Sequence, residues 1–189
     1  QAKRLSGPVQ LNIPRDFWTQ VIDVEVPTPI EFEASSGGAN SVAEAAAIIS
    51  NAKNPVILNG AGVVLSQGGI EASKALAERL DAAVCVGYQH NDAFPGNHPL
   101  FAGPLGYNGS KAGMELIKEA DVVLCLGTRL NPFSTLPGYS MEYWPADAKI
   151  IQVDINPNRI GLTKKVTVGI VGDAAKVANG ILDQLSGTA

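Results

Sequence analysis

The sequence has no cluster of lysine and arginine. Its 14 basic residues are spread along 189 positions against 18 acidic ones, for a net charge of -4. Nucleic acids and anionic membranes need concentrated positive charge, so neither is expected as a partner. The basic doublet Lys164-Lys165 reads as a solvated turn. Long apolar runs are missing too: no stretch approaches the ~20 residues that span a bilayer, and no basic-then-apolar segment opens the chain. A cytoplasmic location is the expectation. Cysteine is scarce, with Cys85 in Ala-Val-Cys-Val and Cys125 in Val-Leu-Cys-Leu. No charge adjoins either thiol to activate it, so both are expected to pack as small core side chains. There is no Ser-His-Asp order, no pair of catalytic carboxylates and no phosphate-cradling Gly-Lys-Thr. His90 and His98 lack metal-ligand spacing to any Cys, His or acid. No catalytic or metal-binding constellation is therefore expected within these residues.

What is present is 46% hydrophobic residues and 20 glycines, enough for one sizeable core with many tight turns. Residues 1–6 read as the last turn of a helix. Val9-Gln10-Leu11-Asn12-Ile13 alternates as a half-buried strand does, and Pro14 ends it. The stretch to Gly38 is rich in Pro, Ser and Gly and reads as an extended connector. From Ser41 the pattern changes to helices alternating with short, wholly apolar strands. Ser41 with Glu44 suggests a capping box, and Val42, Ala45, Ala46, Ile48 and Ile49 form one stripe. Strands are predicted at 55–58, 83–86, 122–126, 150–153 and 167–171, and a sixth is expected near Phe101. Helices are predicted at 70–80, at 110–120 and from Asp173 onward, with Asp173 as a cap and Val177, Ile181 and Leu185 in register. This alternation predicts a Rossmann-like α/β fold: a parallel sheet of five or six strands with helices on both faces.

In such folds ligands sit beyond the carboxyl ends of the strands, where strand order reverses. The first strand runs into Gly60-Ala61-Gly62. That turn either lets a phosphate approach the backbone or simply serves a tight connection. The third glycine of a dinucleotide fingerprint falls at Leu65, and the second strand ends without a ribose-binding acid, which disfavours an NAD enzyme. Arg129 follows the fourth strand and Asp154 closes the fifth. The pair suits a nucleotide phosphate and ribose, the two could pair with each other, or Asp154 could brace the turn before Asn156-Pro157. Gly60, Gly62, Arg129 and Asp154 are the candidate ligand contacts.

Taken in order, Gly7–Asp16, Pro55–Gly62, Phe94–Pro99, Leu126–Arg129, Val153–Pro157 and Val171–Asp173 resemble successive markers of the thiamine-diphosphate enzyme family related to acetohydroxyacid synthase. The resemblance covers nearly the whole chain and implies a piece of a longer enzyme. Residues 1–20 would be the remnant of a pyrimidine-binding domain, 21–37 a linker and 38–189 the central domain. The loops Tyr88–Gly96, Gly103–Gly113 and Asn131–Tyr139 resemble an acetyl-transferring branch that cleaves a sulfonated aldehyde and passes acetyl to phosphate. Thiamine diphosphate and Mg²⁺ are the implied cofactors of the full-length parent. The family's Gly-Asp-Gly metal motif is absent, since Gly172-Asp173 continues into Ala174, so no catalytic residue is assigned and this fragment is expected to be inactive. In flavin-binding members the central domain carries FAD, with a His common where this chain has Asn108. FAD, an adenine nucleotide and no ligand stay open as alternatives. The implied partners are the other domains of the parent, which the family assembles as homodimers or homotetramers.

Overall fold

The computed structural model describes residues 8–186, so the helical turn expected within residues 1–6 lies outside the described residues. The chain divides into two compact units, one up to Glu33 and one from Ala34 onward. In the first, the alternation at Val9–Ile13 does not become a strand: no ladder forms, and Val9, Leu11 and Ile13 are exposed. A half-buried strand needs a neighbouring strand to pair with, and nothing in the described chain supplies one. Pro14 instead starts a short 3-10 turn, Arg15–Thr19.

The second unit is the α/β domain. Six parallel strands run β1 (Pro55–Asn59), β2 (Ala83–Gly87), β3 (Phe101–Leu105), β4 (Val122–Leu126), β5 (Lys149–Asp154) and β6 (Val168–Val171). Their order across the sheet is β3-β2-β1-β4-β5-β6, so the direction of winding reverses between β1 and β4. Successive residues of each inner strand feed opposite cores. On β1, Ile57 faces a layer built by α1 (Ala39–Ser50), α3 (Gly69–Leu80) and α5 (Ala174–Ser186), together with the short α2 (Ala61–Leu65). Val56 and Leu58 face the other side, where α4 (Lys111–Lys118) packs with Leu130 and Tyr143. Burial on both faces explains the unbroken apolar runs. Leu58 sits in register with Cys85 of β2 on one side and Cys125 of β4 on the other.

Helix termini follow local chemistry. Ser110 Oγ accepts from the Gly113 amide at 3.2 Å and caps α4. Asp173 Oδ1 accepts from the Lys176 amide at 3.1 Å at the start of α5, as the sequence suggests for an N-terminal acid. The capping box at Ser41 and Glu44 does not form. α1 starts earlier, with Gly38 as its cap and no side-chain hydrogen bond there, because Val42, Ala45, Ala46 and Ile49 already fix the buried stripe. The strand near Phe101 is an edge strand containing Gly103 and Pro104, with a register shift against β2 at Val84/Cys85. An edge position tolerates the missing proline donor.

Replacing Ile57, which is fully buried, with Ala is expected to cost about 2–5 kcal/mol. Val171→Ala, at the 43% exposed end of β6, is expected to cost less than about 1 kcal/mol. Urea denaturation of the two variants measures the contrast.

Candidate functional site

The carboxyl ends of β1 and β4 meet at the point where strand order reverses, and there the backbone of one turn rests directly on the other. A Cβ on Gly60 would stand 2.6 Å from Thr128 Cβ, and one on Gly62 would stand 2.5 Å from Gly127 Cα. Gly127 itself has φ of +59°, a region that glycine enters at little cost. The Gly60 amide donates to the Leu126 carbonyl at 3.0 Å, and the Gly62 amide donates to the Gly127 carbonyl at 2.8 Å. The amides of both glycines are therefore spent within the protein. The requirement for glycine at 60 and 62 comes from this close approach. Gly127, the third member of the contact, stands in the Leu126–Arg129 marker directly after a buried strand, a position that did not by itself disclose the contact.

Beside this contact, β5 ends in Asp154, only 4% exposed. Its Oδ1 accepts from the Asn156 amide at 2.8 Å, and Asn156 Oδ1 in turn accepts from the Asn158 amide at 3.0 Å. The carboxylate thus braces the turn at Pro157, one of the roles its sequence context suggests. Burial pushes the Asp154 pKa upward, and the Asn156 amide and the charges of Arg159 and Arg129 oppose that shift only in part. Arg129 is exposed, on the same side of the sheet as Asp154, and no ion pair joins the two among the described residues. Under them lies Gln152, buried, which donates to the Thr128 carbonyl at 3.0 Å and the Arg159 carbonyl at 3.2 Å and accepts from the Gly161 amide at 2.9 Å. One side-chain amide ties both loops to the sheet. Its sequence setting, a single polar residue inside a strand, was the signal for it.

On the other flank of the reversal, Asn59 Nδ2 donates to Ser73 Oγ at 2.8 Å and to the Ala93 carbonyl at 2.9 Å, anchoring the loop after β2. Tyr88 in that loop makes an edge contact with Tyr107. His98 hydrogen-bonds Glu78 at 3.1 Å through Nε2 and accepts from the Leu100 amide through Nδ1, so it closes a loop. Burial raises the thiol pKa of Cys85 to about 12 and pushes Cys125 up as well, which leaves both unreactive at neutral pH. Among the described residues, no group of three His, Cys, Asp or Glu side chains is placed to hold a metal. Asp173 accepts a 2.6 Å hydrogen bond from Ser66 Oγ in addition to capping α5.

Two outcomes are expected. Gly62→Ala forces the two turns apart and costs about 3 kcal/mol, whereas Gly68→Ala, at φ of +73° with open space around it, costs about 1 kcal/mol; thermal melts compare them. Because the raised Asp154 pKa means the folded state binds its proton more tightly than the unfolded chain, this group lowers stability as pH climbs through the interval between the two values. Asp154→Asn keeps the Oδ1 acceptor, so its stability relative to the unsubstituted protein should rise from acid to neutral pH in urea titrations.

A family model described as thiamine pyrophosphate enzyme, central domain, matches residues 42–181. The chain is 71% identical to a sulfoacetaldehyde acetyltransferase of Roseovarius nubinhibens over 188 residues, covering 100% of this chain and 31% of that protein. It is 62% identical to a sulfoacetaldehyde acetyltransferase of Rhodobacter capsulatus over 189 residues, covering 100% of this chain and 32% of the relative. The chain thus spans about a third of the length of these relatives. Among solved structures, the benzoylformate decarboxylase of Polynucleobacter necessarius superposes with a TM-score of 0.68 at 24% identity, over 90% of this chain and 31% of that one, a likeness of fold. With its sheet order, its strand-end turns and the matched segment in agreement, the chain belongs to the family of thiamine pyrophosphate enzyme central domains.

Proposed function

We propose that this chain is the central, largely structural domain of a thiamine-diphosphate-dependent acetyltransferase that converts sulfoacetaldehyde and phosphate to acetyl phosphate and sulfite in the full-length enzyme. Identity of 71% to the Roseovarius nubinhibens enzyme across the whole chain carries this reading. Bound to the full-length protein, thiamine diphosphate would supply nucleophilic carbon chemistry for attack on the aldehyde carbonyl. The residues of this chain do not suit that cofactor or its Mg²⁺: Asp173, the acid of the Gly-Asp pair, is committed to the Lys176 amide and Ser66. The contribution of this domain is to hold the other domains of the parent in register, through a sheet pinned at its reversal point. The assembly is a homodimer or homotetramer by family resemblance. We place it in the cytoplasm; no helix among the described residues is long and apolar enough to cross a membrane.

A second reading concerns the strand ends. FAD or an adenine nucleotide would meet Arg129 and Asp154, with Gly60 and Gly62 shaping the floor rather than donating to it. The observation in its favour is the buried carboxylate kept near two guanidiniums despite its desolvation, an arrangement found more often at binding sites than elsewhere.

The full-length protein, supplied with thiamine diphosphate and Mg²⁺, is expected to form acetyl phosphate and release sulfite in equal amounts from sulfoacetaldehyde and phosphate, while the 189-residue chain forms neither. Acetyl phosphate made by the chain alone, or its absence with the full-length protein, overturns the assignment. For the strand-end reading, calorimetric titration of the chain with FAD and ADP should show saturable heat that Arg129→Ala removes; a flat titration rejects it.

A further inference from the structure

At the end of β5 and β6 opposite Asp154, where both strands start, the surface carries a groove of about 490 Å³. That volume is within the usual range for small-molecule sites. Lys149 opens β5 and Thr167 immediately precedes β6. Both line the groove with Trp144, Asp147, Lys164 and Lys165. In a chain of net charge -4, three of the lysines share this one concavity. None of the three belongs to the described ion pairs, which employ Lys74, Lys111 and His98.

Lys164 Nζ stands 5.0 Å from the centroid of the half-buried Trp144 ring. A cation drawn to an indole face is held against the protein rather than released to solvent. Three like charges confined to one groove repel one another, and Asp147 is the lone carboxylate lining it, so the groove is net positive. An anion of more than one charge relieves that repulsion better than a carboxylate does, because a phosphate offers several oxygens to point-like ammonium donors. A concave site of this size on an otherwise acidic chain suits a small molecule rather than a nucleic acid.

We propose that this groove binds a phosphate-bearing small molecule, its phosphate held by Lys149, Lys164 and Lys165 beside Trp144. The site is separate from the strand-end residues Arg129 and Asp154, and it does not depend on the assigned reaction.

The chain has two tryptophans, so Trp18→Phe leaves Trp144 as the sole indole reporter. Titrating that variant with pyrophosphate at low ionic strength should give a saturable change in Trp144 emission as Lys164 turns toward the ligand. Lys165→Ala should weaken the midpoint about tenfold, as expected for losing one charge-assisted contact. Lys164→Ala should do the same by calorimetry, and Lys165, being exposed, keeps the test decisive should position 164 prove needed for folding. Asp147→Asn should tighten binding, and Lys74→Ala, on α3 across the sheet from Trp144, should leave it unchanged. An emission change that sodium chloride reproduces at equal ionic strength overturns the proposal, as does a Lys165→Ala midpoint equal to that of Lys74→Ala. The same titration with ADP separates the two anion sites: a signal abolished by Arg129→Ala but indifferent to Lys165→Ala belongs to the strand ends and also counts against the groove.

Discussion

The direct seating of the β1 turn on the β4 turn is the constraint on which the rest of this domain depends. In a doubly wound sheet the reversal of strand order ordinarily opens a crevice for a ligand. Here Gly60, Gly62 and Gly127 bring the two turns to backbone contact and join them by paired amides and carbonyls. The crevice floor is made of protein. The same glycines that look like a phosphate loop therefore act first as a hinge pin, and their own amides are not free for a ligand.

A second consequence concerns the long connections. Between β4 and β5, and again between β5 and β6, no α-helix bridges the sheet, so other devices must order those loops. Gln152 does this from inside the core by satisfying the Thr128 and Arg159 carbonyls and the Gly161 amide. Thr163 adds a 2.8 Å bond to the Leu130 carbonyl, and Leu130 is held buried at φ of +52°. Removing a helix from a crossover exposes backbone polar groups that must find partners, and two side chains provide several of them. Tyr143 is the exception: its buried hydroxyl makes no hydrogen bond of acceptable geometry, although the Gly106 backbone is near enough to moderate the upward shift that burial gives its pKa.

Much of this domain is legible in its sequence because hydrophobic periodicity and burial are the same fact seen twice. The inner strands read as continuous apolar runs since both faces are covered, and Val177, Ile181 and Leu185 read as one helical face since they are one. Other elements had competing signals. β3, expected near Phe101, carries Gly103 and Pro104 and survives as an edge strand. The five-residue α2 lies within Gly-Ala-Gly-Val-Val-Leu and is too short for a period to emerge. Val9–Ile13 shows the converse failure: the alternation is there, but pairing is a property of two strands and one segment cannot encode its partner. The candidate site was legible by residue and not by role. Asp154 and the two glycines were identifiable from position at a strand end, whereas the Leu126 and Gly127 carbonyls that accept from the glycine amides belong to a turn far away in the chain.

The two thiols also acquire a use. Cys85 and Cys125 flank Leu58 at one level of the sheet, two strand spacings apart, or about 10 Å. That separation exceeds the reach of a disulfide, so oxidation cannot lock them while the sheet is intact. They sit at the centre of the structure, sealed and protonated. Alkylation of either thiol thus becomes a clock for the lifting of the α4 layer from the sheet, and it needs no label added to the protein.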